Sequence, residues 1–175
     1  MRMRAFIVAL LIAASPFAAA RELPAVMGSA YAGLKPLGEG KLTFLTMLVY
    51  NATLHVPGSK WLPDQLFALD LRYEMNLKGK DIAERSITEM KGQGHGDPAK
   101  LKRWGEEMAR IFPDIKPGDR LVGVSLPGSG ASFYNDQKLL GVVADPEFAR
   151  AFFAIWLDER TSEPKLRRQL LKLPD

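Results

Sequence analysis

Apolar and polar residues alternate without error over residues 69–78. Leu69, Leu71, Tyr73, Met75 and Leu77 fall on one side, and Asp70, Arg72, Glu74, Asn76 and Lys78 on the other. A period of two predicts a half-buried antiparallel strand with a solvated polar face. Residues 41–56 predict a longer strand. Leu42, Phe44, Leu48, Tyr50, Ala52, Leu54 and Val56 make one apolar face, and Leu45, Met47 and Val49 make the middle of the other face apolar too. That middle is expected to be covered on both sides. Pro57-Gly58 stops it, and the Gly- and Pro-bearing residues 22–40 before it read as irregular or edge structure.

The period then changes. Asp81 and Glu84 form a capping-box-like helix start, with Ile82, Ile87 and Met90 inward. Gly92-Gln93-Gly94-His95-Gly96 ends that helix, and Asp97-Pro98 opens another, with Leu101, Trp104, Met108 and Ile111 on one stripe. Short strands follow at 120–126, 131–134 and 138–143, with a hairpin tip at Asn135-Asp136. Asp145 is a fit N-cap, and Pro146 suits the first helical position. Phe148, Phe152, Ile155 and Trp156 share one face of the next helix. Phe152 and Phe153 cannot both face that way, so one turns toward solvent, a cavity or a partner. After Thr161-Ser162, Leu166, Leu170 and Leu173 form a last apolar stripe. Strands, two helices, three short strands and two helices predict an α+β fold with helices on one face of an antiparallel sheet.

The first twenty residues stand apart. Arg2 and Arg4 precede an apolar run over residues 5–14, which Ser15-Pro16-Phe17 breaks before Ala18-Ala19-Ala20. This is the pattern of a leader cleaved near Ala20. The run is shorter than the roughly 18 apolar residues of a membrane-spanning helix. A single domain, 21–175, exported to the periplasm or the medium, is the expectation. Loss of the two leader arginines would reduce the formal net charge of +4 to a small basic excess. No basic run suggests a nucleic-acid partner. The absence of cysteine excludes thiolate catalysis, iron–sulfur clusters and cysteine zinc sites.

Candidate chemistry is sparse. His55 and His95 are the only histidines, and two do not make a zinc site; His95, among glycines, is expected at the surface. The Gly92–Gly96 loop follows a helix, not a strand, and Asp97 beside it would repel phosphate. Ser129 and Ser132 have no G-x-S-x-G context and no placed histidine. Asn51-Ala52-Thr53 is a formal glycosylation sequon inside a strand. No catalytic residue, metal ligand or cofactor is assigned.

Three segments, AFFAIWLDERTSEPKLRRQLL, GKLTFLTMLVYNATL and FPDIKPGDRL, resemble the bacterial, exported branch of the chalcone isomerase-like family. The resemblance covers nearly all of the chain after the leader. It implies an open-faced sandwich, a large antiparallel sheet curved against a layer of α-helices, with a ligand cleft between. Active plant members close a chalcone to a flavanone. They use an arginine and a threonine near the first long strand, a tyrosine and an asparagine on the first helix, and a hydroxyl residue on the aromatic-rich helix. Matched by local register, these positions fall on Ala32, Leu45, Ile82, Glu89 and Ile155. Ring closure of this kind needs a cation for the phenolate and hydroxyls for the enolate, and none of these five supplies one.

Non-catalytic plant members bind fatty acids. The resemblance therefore implies a greasy cleft, without the proton donors and cation of catalysis, that binds a small apolar, fatty-acid-like ligand. Its expected wall comprises Lys41, Leu45, Tyr50, Ile82, Glu89, Phe152, Ile155 and Trp156. A residual isomerase and a ligand-free accessory protein of the envelope remain open alternatives. Nothing in the sequence sets the oligomeric state.

Overall fold

The structure, a computed structural model, describes residues 22–174. The leader expectation lies outside them. Six strands form one antiparallel sheet in sequential order, β1 (Lys35–Phe44), β2 (Met47–Val56), β3 (Phe67–Tyr73), β4 (Arg120–Leu126), β5 (Gly130–Tyr134) and β6 (Leu139–Val143). Helices α1 (Gly79–Gly92) and α2 (Pro98–Ile111) join β3 to β4, and α3 (Pro146–Leu157) and α4 (Pro164–Leu171) follow β6. The main core lies between the inner face of this sheet and the helices. The α+β, open-faced arrangement is the one expected.

Two helix starts form as their residues dictate. Asp97 accepts from the Ala99 and Lys100 amides at 3.0 and 3.1 Å, and Asp145 accepts from those of Glu147 and Phe148 at 2.9 and 3.2 Å. The second oxygen of Asp145 also receives the Trp104 indole N–H at 2.9 Å, which ties α3 to α2. The Asp81–Glu84 capping box does not form. Helix α1 starts two residues earlier, where Asp114 takes the Gly79 amide at 3.0 Å. A Cβ on Gly79 would stand 2.0 Å from the Phe112 carbonyl oxygen, so this close approach admits only glycine.

Helix α3 is buried almost all round, as a core helix with apolar residues on every face must be. Phe153 turns to Phe67, at 4.9 Å between ring centroids, above Gly123. Phe152 packs on Phe133 at 5.1 Å and on Trp156 at 5.3 Å. His95 is half-buried rather than exposed, edge-on to Trp104. Lys172, with φ 52°, ends α4 and leaves Leu173 beyond the helix at 40% exposure, off the expected stripe.

Two expectations about strands need correction. Residues 41–56 are not one strand. The chain reverses at Leu45-Thr46, and β1 and β2 pair as a hairpin, Phe44 opposite Met47. Leu45 and Thr46 have φ of 57° and 121°, values that ordinarily select glycine or asparagine. A leucine and a threonine gave no turn signal.

The polar face expected of residues 69–78 is exposed at Glu74, Asn76 and Lys78 but buried at Asp70, because part of the outer face of the sheet is covered. Residues 22–34 cross it through two short 3-10 turns and pack Met27 and Leu34 on Ala68, Val122 and Val124. Asp70 and Arg120 are buried beneath, each side chain 4% exposed, and they share two hydrogen bonds. Arg120 also reaches the Glu22 carbonyl and Asp136, so the guanidinium holds the covering segment down.

His55, 1% exposed, sits beside this pair with neither ring nitrogen hydrogen-bonded and Nε2 3.9 Å from Asp70. Desolvation lowers its pKa from 6.5 to about 4, against the pull of Asp70 and with the help of Arg120. The folded chain therefore holds His55 neutral while the unfolded chain takes up a proton below pH 6.5. The stabilisation is complete above 6.5 and is lost as pH falls through about 4. Urea melts across that window should show a loss of about 3 kcal/mol, flattened in His55→Phe.

Candidate functional site

A cavity of about 310 Å³ opens between the sheet and the helices. Its volume is at the lower end of the roughly 300–1,000 Å³ usual for small-molecule sites. The sheet contributes Leu42, Val49, Tyr50, Leu71, Tyr73 and Leu121; α1 contributes Ile82, Arg85, Ser86 and Glu89; α3 contributes Phe152, Ile155 and Trp156. Each element offers one periodic face. Tyr50 opposes Tyr73 across the β2–β3 ladder, with rings edge to face at 5.5 Å. Ile82, Ser86 and Glu89 recur at helical spacing along α1.

The wall is mostly apolar, with polar groups at defined points. The Trp156 indole donates to the Tyr50 hydroxyl at 2.8 Å, which leaves the phenol proton of Tyr50 to donate elsewhere. The Tyr73 hydroxyl has no hydrogen-bond partner among the described residues, although the residue is only 3% exposed. Burial drives both phenols well above the usual tyrosine range; at Tyr50 the Trp156 bond opposes this and Glu163 and Glu89 add to it. Both stay protonated and can donate.

At the rim Arg85 is paired with Glu89, and Ser162 donates to the other Glu89 oxygen at 2.8 Å. Asp81 and Glu163 also line this edge. Three carboxylates and one guanidinium thus line the cavity. The expectation of a cleft without the proton donors and cation that ring closure demands fails: Arg85 and Tyr73 join the expected Tyr50 on the wall.

Six of the eight expected wall residues come together here: Tyr50, Ile82, Glu89, Phe152, Ile155 and Trp156. Two do not. Leu45 sits at the hairpin tip, 76% exposed, because the strand expected to carry it turns there. Lys41 is exposed and points to the opposite side of β1 from the wall residue Leu42, as pleating requires of neighbours. The carried-over arginine position also fails, since Ala32 follows the 3-10 turn on the outer face of the sheet. Arg85 and Tyr73 were missed, though both had a signal. Tyr73 lay on the apolar side of an alternating strand, and Arg85 lay one turn from Ile82 and Glu89. Among the described residues no three His, Asp or Glu side chains are grouped to hold a metal, and no helix is long and apolar enough to cross a membrane.

The profile of the chalcone isomerase-like family matches residues 22–172. The chain belongs to the chalcone isomerase-like family. A relative from Haemophilus influenzae, described only as an uncharacterized protein, is 31% identical over 142 residues, covering 81% of this chain and 69% of its own. Among solved structures, a fatty-acid binding protein of Arabidopsis thaliana superposes with a TM-score of 0.62 at 17% identity, over 85% of this chain and 90% of that one. At that identity the likeness concerns the fold. In this chalcone isomerase-like chain the cavity occupies the space between sheet and helices where the family resemblance implies a ligand cleft.

Proposed function

We propose that this chalcone isomerase-like protein is a non-catalytic carrier of a small apolar, fatty-acid-like ligand, exported by its N-terminal leader. The observation that carries the reading is the cavity, with aliphatic and aromatic walls and a few donors. The neutral phenols of Tyr50 and Tyr73 suit a carbonyl or carboxyl oxygen, and the leucine, isoleucine and phenylalanine walls suit a hydrocarbon chain. The name of the Arabidopsis neighbour supports the same ligand class.

Charge argues against ring closure. A phenolate or an enolate at the rim would meet Asp81, Glu89 and Glu163 against Arg85 alone, and Arg85 is already engaged by Glu89. A residual isomerase is the second reading, favoured by the two available phenols. Chalcone turnover well above the spontaneous rate would support it. For the carrier, the protein is purified without added lipid, denatured, and its released small molecules weighed by mass spectrometry. The expected result is an acyl-chain compound near one equivalent. An empty protein whose melting temperature ignores a lipid panel contradicts the reading, because a ligand of the native state must raise it.

A further inference from the structure

Residues 42–49, LTFLTMLV, carry no charge and form the tip of the β1–β2 hairpin. Phe44, Leu45 and Met47 are 62, 76 and 54% exposed there. The turn places Leu45 and Thr46 at positive φ, where asparagine or glycine would relieve the backbone and hydrate better. A strained turn that displays a leucine to water needs a reason. Phe44 supplies one, because it is exposed and yet stands on the cavity wall beside Thr43 and Leu42. The cavity therefore opens at the tip, and an apolar track runs from Leu45 through Phe44 and Leu42 to the interior.

We infer that the hairpin tip inserts into a lipid bilayer surface and hands an apolar ligand between bilayer and cavity; the handover rests on the proposed carrier function, while the insertion stands on the tip alone. Size argues against a second protein chain. Three side chains on a narrow turn present far less than the roughly 800 Å² per partner of a standard interface. Chemistry argues for the hydrocarbon region of a bilayer, where an uncharged apolar tip is at home and ionic attraction is not needed. An apolar ligand drawn from a bilayer along this track stays out of water the whole way and avoids the cost of exposing its chain.

The chain contains no cysteine, so a single label can be placed at will. An environment-sensitive fluorophore is attached to the full chain at Leu45→Cys and, as control, at Lys60→Cys, exposed in the loop after the far end of β2. With phosphatidylcholine vesicles the Leu45 label should shift to the blue and be quenched by lipids brominated high on the acyl chain, in low and high salt alike. The Lys60 label should respond to neither, and this contrast holds whether or not a leader remains. In unlabelled protein, Leu45→Asp should cut the rate of acyl-probe uptake from vesicles about tenfold or more, with equilibrium binding of the same probe from solution unchanged. No shift at Leu45, an equal shift at Lys60, or a shift produced by raising protein concentration without vesicles would overturn the inference. Tip insertion without probe binding from solution would instead remove the carrier function and leave the bilayer contact standing.

Discussion

Ile82→Trp is expected to weaken binding of a fluorescent acyl probe roughly fiftyfold. The residue lines the cavity from α1 and is only half-buried, so a larger side chain can enter the void without breaking a packed core. An indole there removes room for about three methylenes of a ligand. At about 0.8 kcal/mol per methylene, that exclusion forfeits about 2.4 kcal/mol, or roughly fiftyfold in the dissociation constant. Stability should stay within about 1 kcal/mol of the parent, because the indole fills empty space. Fluorescence titration and urea melts of both proteins check the pair of outcomes. An unchanged dissociation constant would place the ligand elsewhere. A large loss of stability would mean that the space is needed for packing.

Asp70→Ala carries the largest expected effect on stability, a loss of about 3–5 kcal/mol. Arg120 is buried to the same degree as Asp70 and loses both of its hydrogen bonds to that carboxylate. Only Asp136 and the Glu22 carbonyl remain for it. Leaving a guanidinium without its counter-charge beneath residues 22–34 costs far more than the net value of the pair. The double variant Asp70→Leu with Arg120→Met should therefore recover much of the loss, since it leaves no buried charge unpaired. Urea denaturation of the two variants decides the matter. A single substitution that costs under about 1 kcal/mol would mean that water reaches the pair after all.

Much of this architecture is written locally. Asp97-Pro98 and Asp145-Pro146 each carry a side-chain acceptor and a missing N–H at the right place, and both begin helices as expected. Leu69, Leu71 and Tyr73 alternate, and they face the core. What escaped depends on distant parts of the chain or on strain. Asp70 reads as solvated by its alternation, and only residues 22–34, far away in sequence, bury it. Leu45-Thr46 lacks the glycine or asparagine that marks a tight hairpin, so two strands read as one. Leu45 was expected on the cavity wall from the local register of the family resemblance, which carries no sign of the turn that exposes it.

The candidate site was legible to a similar extent. Ile82, Phe152, Ile155 and Trp156 lie on helix faces that the apolar pattern marks, Glu89 is placed by the register of the family resemblance, and the structure gathers all five at the cavity. Arg85 was hidden because a charged residue on an amphipathic helix reads as surface, and its side chain is indeed 67% exposed while bordering the cavity. Tyr73 read as core because its apolar body decides the strand pattern, whereas its hydroxyl matters to a ligand. Composition and periodicity report which side a residue faces. They carry no information on whether the space there is filled.

Equilibrium titration of a fluorescent acyl probe into delipidated protein, followed by competition with an unlabelled saturated fatty acid, tests the carrier function most directly. One saturable site, emptied competitively by the fatty acid and lost in Ile82→Trp, is the predicted result. A linear, non-saturating signal, or a site that Ile82→Trp leaves intact, would contradict it.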